Sequence, residues 1–255
     1  MKSSVDSAKI SAMRAGGRLL GQIRDQLQEF TQVGMSFAEI EAEAQRRIRA
    51  AGAVPNFALV PKYHWATCIM KNDEVCHGIP TAEKKVLASD VITIDIGLLY
   101  QGFHLDTTTT FVMAPASPFA KHFVDTGWKS LQRAIAAAEV GSSIYDVSAA
   151  MQKTVERQGF GAVYQLTGHG IGRELHEEPA VPCIALRADK RRILEVGQTI
   201  AIEIMYTQGD PTLELDADGW TYRTRDHSLA GMMEETVLIT AQGPEVLTRP
   251  AAPRP

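Results

Sequence analysis

The stretch from Val91 to Val112 constrains the fold more than any other. Val91-Ile-Thr-Ile-Asp95-Ile-Gly-Leu-Leu-Tyr100 and Phe103-His-Leu-Asp106-Thr-Thr-Thr-Thr-Phe-Val112 are two β-branched and aromatic runs joined at Tyr100-Gln101-Gly102, the pattern of a β-hairpin. A turn centred between Tyr100 and Gln101 gives paired residues whose numbers sum to 201, which sets Asp95 directly opposite Asp106. Their Cβ atoms would then lie roughly 5 Å apart on one face. Two like charges at about 4 Å repel by roughly 1 kcal/mol in water and roughly 4 kcal/mol at an effective dielectric of 20. The flanking Val91, Ile92, Ile94, Ile96 and Leu98 are too apolar for a solvated acidic face. A shared proton, a basic side chain or a bound cation could each neutralise the pair, whereas a register slip of one residue would separate it.

With 255 residues, 45% of them hydrophobic, the chain can bury a substantial core as one large domain over residues 1–255, or as two fused halves. The net charge of −4 is small, and the basic clusters Arg46-Arg47-Ile-Arg49 and Lys190-Arg191-Arg192 read as solvated surface. No direct nucleic-acid binding is expected. Cys68, Cys76 and Cys183 are odd in number and form no Cys-x-x-Cys pair, which argues against a disulfide framework and a thiolate zinc site and fits a reducing cytoplasm. The N-terminus lacks an apolar signal region and the longest apolar runs are strand-sized, so no membrane segment is expected.

Ile10, Met13, Leu19, Leu20, Ile23, Leu27 and Phe30 recur at helical spacing over about residues 7–30. A second helix starts at the capping box Ser36-Phe-Ala-Glu39 and stops at Gly52, with Phe37, Ile40, Ala44 and Ile48 as its core stripe. The same pattern returns at a constant offset of 107: Ser143, Asp146, Val155 and Gly159 answer to Ser36, Glu39, Ile48 and Gly52. A preceding helix is expected at roughly 119–139. One repeat at this distance is too long for a solenoid period and suggests two similar halves, about 7–113 and 118–240, each a helix pair plus strands. Residues 250–255 read as a frayed tail.

Asp95, Asp106, Glu203 and Glu235 all fall in runs otherwise filled with aliphatic residues. Burying one unpaired carboxylate costs several kcal/mol, so four are tenable mainly if protonated or ligating cations. Two divalent ions would match the four negative charges. Hard oxygen ligands plus one imidazole favour manganese, ferrous iron, cobalt or magnesium. His169 is the best imidazole candidate, since Gly168 and Gly170 let it approach a crowded centre. Read alone, His77 is a turn histidine and His176 a strand-end surface residue, while His104, Glu177, Glu178 and Glu234 read as solvated positions.

Taken together, Glu74-Val-Cys-His77-Gly-Ile-Pro80, Ile94-Asp95, His104-Leu-Asp106-Thr107, Gly168-His169-Gly170-Ile-Gly172 with His176-Glu-Glu-Pro179, Ile202-Glu203 and Glu234-Glu235-Thr236 resemble the type I methionine aminopeptidases, in the right order and over nearly the whole chain. The resemblance implies an α+β, pita-bread fold, a pseudo-two-fold antiparallel sheet covered by helices, in agreement with the repeat. It implies removal of the N-terminal methionine from nascent proteins and peptides with a small second residue. Asp95, Asp106, His169, Glu203 and Glu235 would hold two divalent ions (manganese, ferrous iron or cobalt), with Glu203 shuttling the proton. His176 would support the tetrahedral intermediate, and His77 would contact the amide beyond the scissile bond. Tyr63, Cys68, Leu175 and Trp220 would line the methionine pocket.

The same resemblance suggests a short bacterial-like form, a monomer acting in the cytoplasm near the ribosome, with no membrane partner. Three positions depart from the family's usual pattern: Ile204 stands where proline is usual, Leu105 where glycine is, and Leu175 where an aromatic is common. Two other functions fit the same scaffold, a peptidase specific for bonds before proline and a catalytically silent binding protein.

Overall fold

In the computed structural model, residues 7–249 are described; the expected tail at 250–255 lies outside them. The chain runs α1 (Ser7–Phe30), α2 (Phe37–Ala50), β1 (Val54–Pro55), β2 (Thr67–Lys71), β3 (Glu74–Cys76), β4 (Val91–Tyr100) and β5 (Phe103–Val112). It continues with α3 (Pro118–Ala137), α4 (Ile144–Glu156), β6 (Gly161–Ala162), β7 (Thr167–Gly170), β8 (Glu177–Pro182), β9 (Thr199–Thr207), β10 (Leu213–Leu215), β11 (Tyr222–Thr224), β12 (Ala230–Thr240) and β13 (Gly243–Val246). No helix among the described residues is long and apolar enough to cross a membrane.

The helix pairs repeat as their capping residues require. Ser36 and Glu39 form a reciprocal capping box at the start of α2, and Ser143 and Asp146 form one at the start of α4. The glycines before each cap, Gly34 and Gly141, have φ of +96° and +87°, and those after each helix, Gly52 and Gly159, have +72° and +80°. Only glycine takes such angles without a Cβ penalty, so the repeat is fixed by backbone geometry as well as by composition. Phe37, Ile40, Ala44 and Ile48 are fully buried, as their spacing predicts.

A ten-stranded antiparallel sheet orders its main path β1-β4-β5-β12-β9-β7-β8, with β2 also on β4, β6 on β9 and β13 on β12. A smaller sheet, β10-β11-β3, lies beside it. Helix α1 packs on β4 and β5, and α3 on β9, β12 and β5. The helix side of the sheet is the face carrying Leu105, which lies against Gly16 of α1. Asp106 and Thr108, of opposite parity, point away from the helices.

The β4–β5 hairpin forms, with a register two residues from the expected one. Tyr100 pairs with Phe103, so the turn residues are Gln101 and Gly102, at φ +50° and +83°. A two-residue turn with both centres left-handed is the kind whose twist suits a hairpin, and it takes glycine second far more readily than it takes tyrosine first. Asp95 therefore opposes Thr108, and Asp106 opposes Gly97. A shift of two preserves parity, so the acids remain on one face as diagonal neighbours and not as a directly opposed pair.

The join between the two halves of the sheet is short. β5 and β12 share the register pairs Glu234↔Thr108 and Glu235↔Thr107. Threonine side chains extend the seam on either side: Thr110 Oγ1 donates to Met232 O at 2.6 Å, and Thr236 Oγ1 donates to Asp106 O at 2.8 Å.

Candidate metal centre

The acids gather at this seam. β4 and β5 supply Asp95 and Asp106, β9 supplies Glu203, and β12 supplies Glu234, which pairs with both Glu203 and Thr108. These four are between 2% and 7% exposed. Thr108 Oγ1 lies 2.9 Å from Asp95 Oδ1 and 2.8 Å from Glu234 Oε2, bridging the halves. His169 enters from β7, where it pairs with Ala201 beside Glu203. One ligand atom each from Asp106, His169 and Glu234 lie within 4.8 Å of one another. The flanking glycines are needed here, because a Cβ on Gly168 would stand 2.5 Å from Ala201 O and one on Gly170 2.3 Å from Glu178 O.

Glu235, expected as the β12 ligand, does not join this cluster. Side chains alternate along a strand, so the neighbour of Glu234 points to the helix side. There Glu235 is fully buried and receives Arg24 Nη1 at 3.0 Å and Thr107 Oγ1 at 3.3 Å. The Glu235 assignment is corrected to Glu234.

Burial shifts every group in the cluster toward its neutral form. It lifts Asp95 to about 6, against lowering hydrogen bonds from Thr108 and Asp106. Glu203 rises to about 8 through burial and the nearby Asp95. Asp106 and Glu234 are pushed well above the carboxylate range, first by burial and then by the other acids. His169 falls to about 4 through burial and the adjacent His176, and its Nδ1 lies 2.9 Å from Gly170 O. Asp106 Oδ1 and Glu234 Oε1 are buried without a hydrogen-bond partner. An orphaned buried acceptor costs about 1–3 kcal/mol, and mutual repulsion adds to that. Divalent cations fit this donor set: they relieve the repulsion, occupy the free oxygens and prefer oxygen with one imidazole.

A cavity of about 370 Å³ opens onto these acids. Its wall includes all four expected pocket residues, Tyr63, Cys68, Leu175 and Trp220, and both expected histidines, His77 and His176. Tyr63 meets Trp220 edge to face at 5.0 Å between ring centres, and its hydroxyl donates to Thr67 O at 2.8 Å. His77 is held at φ +57°, a left-handed angle uncommon for a residue with a Cβ, with its ring 6.5 Å from that of Trp220. His176 is exposed at the mouth, its ring 4.5 Å from that of His169 at 87°. Ile204 and Leu105 are fully buried and have the opposite parity to Glu203 and Asp106, so these departures from the family pattern fill the helix side and leave the acids' face unchanged.

Sequence reasoning missed Glu234, Cys76, Phe57 and Met205 as wall or cluster residues. Phe57 is seated by a glycine: a Cβ on Gly97 would stand 2.7 Å from its ring. For Glu234 a signal was present. Arg24 lies in the apolar stripe of α1 with Leu20, Ile23 and Leu27, and a buried cation on the helix side requires one of the two glutamates to turn toward it.

An antiparallel sheet backed by a repeated helix pair, with acids from both halves meeting at its seam, defines a metal-dependent hydrolase with the pita-bread fold. The model of Metallopeptidase family M24 matches residues 11–241, and the chain belongs to that family. It is 35% identical over 247 residues to a methionine aminopeptidase of Aquifex aeolicus, covering 94% of this chain and 96% of the relative. The crystal structure of methionine aminopeptidase from Thermotoga maritima superposes with a TM-score of 0.93 at 31% identity, over 96% of this chain and 99% of that one. A prolidase from Pyrococcus horikoshii shares the fold at 21% identity, with a TM-score of 0.76 over 96% of this chain and 63% of that chain.

Proposed function

We propose that this chain is a metal-dependent aminopeptidase that removes N-terminal methionine from newly made proteins and peptides whose second residue is small. The observation that carries the reading is the junction of an apolar, aromatic-walled cavity with a buried cluster of four carboxylates and one imidazole. Asp95, Asp106, His169, Glu203 and Glu234 would hold two divalent ions, with manganese, ferrous iron and cobalt all suited to the donors. When bound, the ions lower the pKa of water and polarise the scissile carbonyl.

The remaining work falls to the chain. Glu203 takes the proton from the attacking water and passes it to the departing amine. Desolvation by the pocket wall lowers the His77 and His176 rings from their ordinary value, which favours the neutral forms. At the mouth, His176 donates to the oxygen on which charge develops, while His77 holds the amide beyond the scissile bond. Tyr63, Cys68, Leu175 and Trp220 close around an unbranched thioether side chain by shape and dispersion. By its likeness to bacterial methionine aminopeptidases, the chain is read as a monomer acting in the cytoplasm and near the ribosome.

The test is release of free methionine from Met-Ala-Ser by metal-stripped protein, with manganese, ferrous iron, cobalt or zinc added back and an Xaa-Pro peptide in parallel. Metal-restored cleavage of the methionine peptide alone is expected. Cleavage only before proline, or none with any ion, would overturn the reading.

A further inference from the structure

Behind the acids, on the helix side of the same strands, lies a second group of buried charges. Arg24 of α1 is 1% exposed, and its Nη1 donates to Glu235 Oε2 at 3.0 Å and to Thr107 Oγ1 at 2.6 Å. Glu235 also accepts from Thr248 Oγ1 and, at 3.5 Å, from Arg249 Nε. The guanidinium therefore joins β5 to β12 from behind, where the strands share the pairs Glu234↔Thr108 and Glu235↔Thr107. On the front of the same pairs, Asp95 and Asp106 of one half face Glu203 and Glu234 of the other.

We propose that the Arg24–Glu235 ion pair is a positioning clamp that presets the spacing of the metal ligands across the seam. The inference rests on the proposed metal centre. The front acids must keep their spacing across a seam of only two register pairs, and the clamp holds that seam from the back. Its link to the ligand is one step long, because Thr107 Oγ1 lies 2.9 Å from the backbone oxygen of Glu234. Stability alone does not explain the pair. A buried ion pair is often replaced by well-packed apolar residues without loss, whereas one guanidinium nitrogen shared between Thr107 of β5 and Glu235 of β12, with the rest of the group held by Asp25 of α1, fixes the strands' separation. With the ligand set held in place, less ordering remains for the ions to impose, so their affinity rises.

Three variants test this: Arg24→Lys, Glu235→Gln and the double variant Arg24→Leu/Glu235→Gln, which leaves no unpaired charge fully buried at the seam, since the other partners, Asp25 and Arg249, are part-exposed. Manganese is titrated calorimetrically into each metal-stripped protein, and melting is followed alongside. Every folded variant is expected to bind manganese at least threefold more weakly than wild type, and the double variant at least tenfold. At saturating manganese, KM for Met-Ala-Ser should stay within about twofold. An affinity within threefold of wild type in the double variant, or in Arg24→Lys if it alone folds, overturns the clamp. Failure of all three to fold also overturns it, since the pair would then be a requirement of the fold and not an adjustment of the site. Wild-type cleavage of Met-Ala-Ser in the same assay separates the outcomes: an active, manganese-dependent wild type with unchanged variant affinities removes the clamp and leaves the proposed activity intact.

Discussion

Glu234 and Glu235 are chain neighbours whose carboxylates lie on opposite faces of one strand, Glu234 toward the cavity and Glu235 against Arg24. Exchanging each for glutamine should therefore have opposite effects. Glu234→Gln removes a ligand charge from a repelling cluster: metal affinity should fall about 100-fold or more, while the metal-stripped protein melts no lower than wild type. Glu235→Gln leaves the buried Arg24 with only Asp25 as a charged partner, at a cost of up to about 3–5 kcal/mol, yet should keep the wild-type metal stoichiometry. Elemental analysis and melting curves read both. Loss of the metal from Glu235→Gln, with Glu234→Gln retaining it, would mean that β12 turns its other face to the cavity.

Glu203 is 7% exposed on the central strand β9, with Asp95 as its acidic neighbour. Its glutamine variant keeps the shape and loses both a ligand charge and the proton carrier. Positioned acid–base groups contribute about 10²–10⁴ in rate. A fall in kcat of at least that order is expected at saturating metal, with an unchanged circular dichroism spectrum. Turnover near the wild-type rate would remove Glu203 from the proton path.

The two cavity histidines should separate from the ligands by the same logic. His77 is held at φ +57° beside Trp220 and Tyr222, away from the cluster of Asp106, His169 and Glu234. His77→Ala and His176→Ala should each lower kcat/KM, by about 10²–10³ where a donor to developing negative charge is lost. Manganese affinity should stay within about twofold of wild type in both. Loss of metal from His77→Ala would make it a ligand.

How much of this could be read from the sequence depended on the range of the interactions involved. The helix starts were legible because Ser36 with Glu39, and Ser143 with Asp146, satisfy each other within one turn. The hairpin was legible too. Its register was displaced by two, since that rests on which residues accept positive φ, and Gln101-Gly102 take it in place of Tyr100-Gln101. The facing of β12 was not legible in the strand itself, where Met232, Met233, Glu234, Glu235, Thr236 and Val237 are all buried and no alternation survives. Only the distant partners Glu203, Thr108 and Arg24 decide it. Phe57 escaped notice for a similar reason, because it comes from a short irregular turn seated by Gly97.

The pH response of the metal-stripped protein gives the last prediction. Asp95 at about 6 and Glu203 at about 8, with Asp106 and Glu234 also raised, hold protons in the folded state that the unfolded chain has already released. Stability from a raised carboxyl is full below its unfolded pKa and is lost as pH rises through its folded value. His169, lowered to about 4 from its ordinary 6.5, acts in the opposite sense, since folding then excludes a proton, but its effect is confined to lower pH. His77, His104 and His176 are lowered as well and oppose the acids until the unfolded imidazoles have lost their protons, so the acids dominate toward pH 8. Between pH 6.5 and 8 the stripped protein should lose about 1.4 kcal/mol per pH unit for each proton retained, or several degrees in Tm for a chain of this size. Saturating manganese should flatten or reverse the slope, because the ions stabilise the ionised acids and compete with those protons. Parallel melting curves at pH 6.5, 7.25 and 8 measure it, and a stripped-protein Tm that held constant or rose across that range would show that the buried acids are already ionised without metal.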